Sequence, residues 1–125
     1  MNHIRKATLT ATLFLALSAC AGSTSAPVRM AGAMLVGDNG MTLYTFDKDT
    51  AGSGKSVCVA KCAENWPPLY AAAGAKAEGD YTLVTRDDGR QQWAYKGKPL
   101  YFWVKDQKPG DTSGEGVNGV WHVAR

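Results

Sequence analysis

A six-residue pattern occurs twice in this chain, and that repetition constrains the fold more than any composition figure does. Tyr44-Thr45-Phe46-Asp47-Lys48-Asp49 and Tyr101-Phe102-Trp103-Val104-Lys105-Asp106 both read Tyr, any residue, aromatic, two residues, Asp. The correspondence extends upstream, where Gly40-Met41-Thr42-Leu43 matches Gly97-Lys98-Pro99-Leu100 at a constant offset of 57 positions (40 to 97, 49 to 106). Each copy runs through a Gly-containing connection to a tryptophan, Trp66 in one and Trp121 in the other, 55 positions apart. An internal period of this kind defines the architecture before any local propensity is considered. It divides the chain into repeat 1, about residues 33–69, and repeat 2, about residues 90–125, and predicts that 33–49 superposes on 90–106.

On a strand, side chains alternate between faces, so Tyr44 and Phe46 project one way and Leu43 and Thr45 the other. Tyr101 and Trp103 repeat this against Leu100 and Phe102. Large aromatics on a pleated surface pack across strands. The Asp of each copy falls beyond the strand, where a carboxylate accepts backbone N–H groups and fixes a turn. Asp49 and Asp106 therefore read as structural anchors; the rival reading is an exposed aromatic–acid pair that grips a ligand such as a sugar.

These residues resemble a bacterial family. The doubled motif, with Trp66-Pro67-Pro68-Leu69 after one copy and Val120-Trp121-His122-Val123 after the other, is similar to the secreted-repeat lipoproteins described by a Yx(FWY)xxD motif. The resemblance covers about residues 31 to 125. It implies an envelope location and a two-repeat architecture, and very little biochemistry.

The N-terminus carries its own signal. Arg5 and Lys6 precede an apolar run from Ala7 to Ala19. That run has the length of a signal-peptide core, whereas a membrane-spanning helix needs about 20 residues. It ends in Leu17-Ser18-Ala19-Cys20, which resembles the lipobox of bacterial lipoproteins. Residues 1–19 are thus expected to be a lipoprotein signal peptide, with Cys20 acylated, palmitate-type chains included, and anchored in the bilayer. Residues 20–30, rich in Gly, Ser, Thr and Ala, read as a flexible tether, leaving 31–125 as the folded domain. Ala21 follows the lipidated position in place of the Asp that often retains lipoproteins at the inner membrane. In a Gram-negative host this favours the outer membrane, facing the periplasm.

Removing Arg5 and Lys6 leaves 12 basic side chains against 11 acidic ones, since the whole chain has 14 and 11. A near-neutral mature chain supplies no basic patch for nucleic acid. No protein or glycan partner can be named from the sequence.

Short runs bounded by turn residues suggest antiparallel strands. Met34-Leu35-Val36 and Thr42 to Phe46 flank an Asn39-Gly40 turn. Tyr81 to Arg86 and Gln91 to Tyr95 flank Asp87-Asp88-Gly89, and Leu100 to Val104 and Val120 to Ala124 follow. The expected fold class is mainly β: a small antiparallel β domain of two diverged repeats with a short helix carrying a disulfide. That helix is expected over 56–65, capped by Ser56 and ended by Trp66-Pro67-Pro68. Residues i and i+4 share a helix face about 6 Å apart, within disulfide range, so Cys58 and Cys62 read as a pair in an oxidising compartment. With Cys20 lipidated, no other thiol competes.

Several apparent chemical signals fail on inspection. Gly52-Ser53-Gly54-Lys55-Ser56 resembles the end of a phosphate-binding loop, but the full pattern needs glycine where Asp49 stands. Cys58 and Cys62 lack the following histidine of a c-type haem site, Ala63 standing there. Asp111 to Gly119 lacks the spaced acidic set of a calcium loop. No nucleophile motif accompanies His122, the one histidine left after the signal. The chain is read as a non-catalytic structural or binding module with no cofactor and no metal. The alternative is a periplasmic redox or copper-handling protein using Cys58 and Cys62, with Met30, Met34, Met41 or His122 as further soft ligands.

Overall fold

A computed structural model describes residues 11–12 and 25–125. Of the segment expected to be a signal peptide only residues 11–12 are described, and Cys20 lies outside the described residues. Among the described residues seven short strands, one α-helical turn and one 3-10 turn follow in chain order: β1 (Val28–Ala31), β2 (Met34–Gly37), β3 (Tyr44–Phe46), α1 (Lys61–Asn65), β4 (Tyr81–Thr85), β5 (Gln91–Tyr95), β6 (Lys98–Pro99), the 3-10 turn (Val117–Gly119) and β7 (Trp121–Val123). All strand pairings are antiparallel: β1 with β2, β3 with β7, β4 with β5 and β5 with β6. The mainly β reading holds. β1 begins at Val28, inside the stretch to Met30 expected as tether, because Ala26 and Val28 pack against the core.

The repeats are related by a local two-fold whose centre is a pair of tyrosines. Tyr44 N donates to Tyr101 O at 2.8 Å, and Tyr101 N donates to Tyr44 O at 3.0 Å. Around this centre each repeat gives its tryptophan segment to the other. β7, from repeat 2, pairs with β3 of repeat 1 in the register Tyr44–Val123, Thr45–His122, Phe46–Trp121. Beyond it Leu35 N donates to Ala124 O and Ala124 N to Leu43 O, both at 2.9 Å. In return, Trp66 to Leu69 of repeat 1 lies against repeat 2: Trp93 N donates to Leu69 O and Leu69 N to Leu100 O, again at 2.9 Å. The two halves are intertwined, so neither sequence repeat is a self-contained structural unit.

One half keeps a regular ladder where the other does not. The sequence suggests a strand from Leu100 to Val104, but pairing continues only through an isolated bridge between Pro68 and Tyr101. The reason is the partner. Pro67 and Pro68 have no N–H to donate, so Phe102 N still reaches Pro67 O at 2.7 Å but receives nothing back. In the other half His122 keeps the N–H that Pro67 lacks, and the β3–β7 pairing runs on to Phe46–Trp121.

The alternation within each motif feeds two cores, one on each side of this central layer. Leu43 and Leu100 enter a core with Leu35, Trp93, Leu69 and Ala124. Tyr44 and Tyr101 enter the opposite core with Cys58, Trp66, Trp121 and Val123. Both members of each adjacent pair are fully buried, at 0 % exposure for Leu43, Tyr44, Leu100 and Tyr101. Large side chains on both faces are how so short a chain removes enough apolar surface from water.

Candidate functional site

The doubled motif closes on itself, across the repeats. Tyr44 Oη donates to Asp106 at 2.6 Å, and Tyr101 Oη donates to Asp49 at 2.5 Å. The tyrosine of each copy is thus bonded to the aspartate of the other. Asp49 also accepts Val57 N at 2.7 Å, and Asp106 accepts Ser113 N at 3.0 Å and Ser113 Oγ at 2.6 Å. Burial, and then the bond to the partner carboxylate, hold both phenols well above the usual tyrosine range, so they remain donors. Burial also raises the Asp49 carboxyl; the bonds from Tyr101 and Val57 and the charge of Arg86 oppose that rise.

Between the two bonded pairs runs a stack of four aromatic rings. Phe46 lies on Trp121 at 4.3 Å and 7°, Trp121 on Trp66 at 3.8 Å and 4°, and Trp66 on Trp103 at 3.9 Å and 23°. Tyr44 presents an edge to Trp66 and Tyr101 an edge to Trp121. The stack alternates between repeats and crosses the two-fold at the central tryptophan pair. Offset or edge contacts of this kind add about 0.5–1.5 kcal/mol each beyond area burial. Gly114 sits where the stack passes closest: a Cβ there would lie 2.7 Å from the Tyr44 ring and 2.9 Å from Trp66.

Cys58 and Cys62 form a disulfide, with Cα atoms 5.2 Å apart. Its setting differs from a single capped helix. α1 begins only at Lys61, preceded by Ala60 at φ 53°, with no side-chain cap. Ser56 is engaged elsewhere, its hydroxyl 2.6 Å from Tyr101 Oη and accepting Cys58 N at 3.3 Å. Asp49 holds Val57 and the aromatic core holds Cys58, which keeps residues 56–59 out of the helix.

A buried arginine completes this region. Arg86 donates to Ser56 Oγ at 2.9 Å, Gln92 Oε1 at 2.8 Å and Cys58 O at 2.7 Å, while Gln92 Nε2 donates to Leu100 O at 2.8 Å. The sequence reading did not single out Arg86 or Gln92. The signal was strand parity: Arg86 shares a face with buried Val84, and Gln92 with buried Ala94.

His122 stands apart from these groups, on the other face of β7. Its Nε2 is 2.8 Å from Asp47 Oδ2 and its Nδ1 3.6 Å from Glu115 Oε1. The bond to Asp47 raises its pKa above the ordinary imidazole value. The structure does not bring His122 to the cysteines, and among the described residues no group of three His, Cys, Asp or Glu side chains is placed to hold a metal ion.

Fold and site together define a class: an internally duplicated β domain, with exchanged tryptophan segments, reciprocal Tyr–Asp bonds and a disulfide. The chain belongs to the family described as a secreted repeat of unknown function, which matches it twice, over residues 26–70 and 82–125. Comparison with curated proteins and with solved structures gives no match.

Proposed function

We propose that this protein is a lipid-anchored module of the bacterial cell envelope, non-catalytic, whose doubled motif is a structural lock and whose outer surface does the binding. The observation that carries this is the internal use of the tyrosine and the closing aspartate of both motif copies. Tyr44, Tyr101, Asp49 and Asp106 are consumed in bonds to one another and to the backbone, and Trp66 and Trp121 lie inside the stack. Groups committed in this way are poor candidates for gripping a ligand or moving a proton. The redox or copper alternative would have to work through Cys62, which is partly exposed, since Cys58 is buried at 0 % exposure and a reactive thiolate needs access.

The anchoring half of the proposal rests on Leu17-Ser18-Ala19-Cys20 and on secretion as the family's description. Among the described residues no helix is long and apolar enough to cross a membrane. With Cys20 acylated, the seven residues before Val28 would reach at most about 25 Å, keeping the domain close to the bilayer. Two or three acyl chains, at about 0.8 kcal/mol per buried CH₂, make such attachment durable. Cys20→Ser is expected to abolish labelling by a radioactive fatty acid and to move the protein to the soluble fraction. Retained labelling would refute the anchor.

A further inference from the structure

Internal duplication lets each surface be compared with its own counterpart at the same place in the fold. A cleft of about 290 Å³ opens beside β7, where the β5–β6 turn meets the end of the chain. Its walls carry Lys96, Lys98, His122 and Arg125, with Asp47 and Tyr95 between them. The two-fold places a counterpart at the other end of the molecule, lined by Asp38, Asn39, Leu69 and Phe102. The backbone frame is shared beside β7, where Asp47 N donates to Val120 O in one half as Val104 N does to Asn65 O in the other, but not at the hairpin tip, where Gly37 N donates to Met41 O across three loop residues while Tyr95 pairs with Lys98 across two.

The cations are not shared. At the repeat offsets, Lys96 corresponds to Asn39, Lys98 to Met41, His122 to Pro67 and Arg125 to Tyr70. The core positions, by contrast, retain their chemistry: Tyr44 with Tyr101, Asp49 with Asp106, Trp66 with Trp121, Leu43 with Leu100. The cations therefore cluster in one copy only, and their counterparts at the same sequence offsets are uncharged. The mature chain is close to neutral, so three cationic side chains lining one cleft, with Asp47 the one acidic side chain among its lining residues, stand out. Among the described residues Lys96, Lys98 and Arg125 form no ion pair, and Asp47 is already bonded to His122.

Lys96 and Gly97 are the two loop residues of the β5–β6 hairpin, with φ 48° and 81°. A turn of this kind requires positive φ at both positions and favours Asn before Gly, so the turn itself accounts for the conformation of Lys96 and holds its side chain at the rim of the cleft.

We propose that this cleft binds a phosphate monoester on a glycerol- or single-sugar-sized body. A monoester carries nearly two negative charges at neutral pH, which the three cationic side chains of the cleft can pair. Arg125 offers a planar fork for two phosphate oxygens, and Lys96 and Lys98 act as point charges beside it. The volume, at the low end for small-molecule sites, fits one such group. This inference goes beyond the proposed anchoring and does not depend on it.

The test is a titration of the full chain with sn-glycerol 3-phosphate at low salt, followed by amide chemical shifts, with glycerol and glucuronate as the neutral and carboxylate controls. Saturable binding is expected, weakened by added salt, with shifts centred on Lys96, His122 and Arg125 and absent at Asn39 and Phe102. Lys96→Asn combined with Lys98→Met installs the counterpart residues. It should lower affinity at least tenfold while leaving the unfolding temperature unchanged or raised. Displacement of the ester by phosphatidic acid vesicles would identify a lipid headgroup as the source; failure to displace it would identify a soluble ester. No saturation by about 10 mM, equal binding of glucuronate, an unaltered affinity in the double variant, or shifts at the counterpart cleft would each overturn the proposal.

Discussion

Tyr101→Phe cuts the bond that ties one repeat to the other, together with the phenol's contact to Ser56 Oγ. The substitution removes a single oxygen from a fully buried ring and keeps the edge contact with Trp121, so packing is retained. What it leaves behind is Asp49, 8 % exposed, with the N–H of Val57 as its remaining direct bond. Losing a hydrogen bond to a charged group costs about 1.5–3 kcal/mol, so a loss of roughly 2–3 kcal/mol at pH 7 is expected. The pH dependence follows from Asp49. Its folded pKa lies above its unfolded value, near 3.9 for a free Asp. Stability linked to this group is therefore complete below about pH 4 and falls as pH rises through the folded pKa. The bond from Tyr101 opposes the upward shift, so removing it raises the folded pKa further and enlarges the deficit above it. The penalty should accordingly be largest at neutral pH and shrink to about 1 kcal/mol near pH 3.5, where the carboxyl is protonated in both states and only a neutral bond is missing. Urea unfolding followed by tryptophan fluorescence at the two pH values measures both quantities. A penalty below about 0.5 kcal/mol at pH 7, or one that does not change between the two, would refute the reasoning.

Two further outcomes test the same architecture. Residues 26–70 and 82–125 expressed separately should each lack fixed tertiary structure, because each hairpin needs the other's tryptophan segment; mixed together they should recover a folded far- and near-ultraviolet circular dichroism signature, and independent folding of either half would count against the exchange. Replacing both Cys58 and Cys62 by Ala should cost about 2 kcal/mol or somewhat more from loss of a short closed loop, and the native bond should have a midpoint potential below about −300 mV; a value near −200 mV in a thiol–disulfide equilibrium would instead support a redox role.

The sequence by itself determined the duplication, the β class and the cysteine pairing. Each rests on a pattern that survives without knowing who contacts whom: the constant offset between Tyr44 and Tyr101, the two-residue alternation that sends Leu43 and Tyr44 to opposite faces, the four-residue spacing of Cys58 and Cys62. Export too is a matter of local pattern, carried by the short apolar run before Cys20. Tertiary structure decided how the copies combine. A repeat offset is the same whether two units sit side by side or trade segments, so the bond from Tyr101 to Asp49 rather than Asp106 could not be read from it. The interruption of the ladder after Tyr101 came from Pro67 and Pro68, which act on a strand remote in sequence. Arg86, at a strand end, carries no signal in the sequence beyond strand parity; only the fold brings three acceptors to it. The cationic cleft belongs to the same category: Lys96 and Lys98 sit on one segment, His122 and Arg125 on another, and only the folded chain brings the two together.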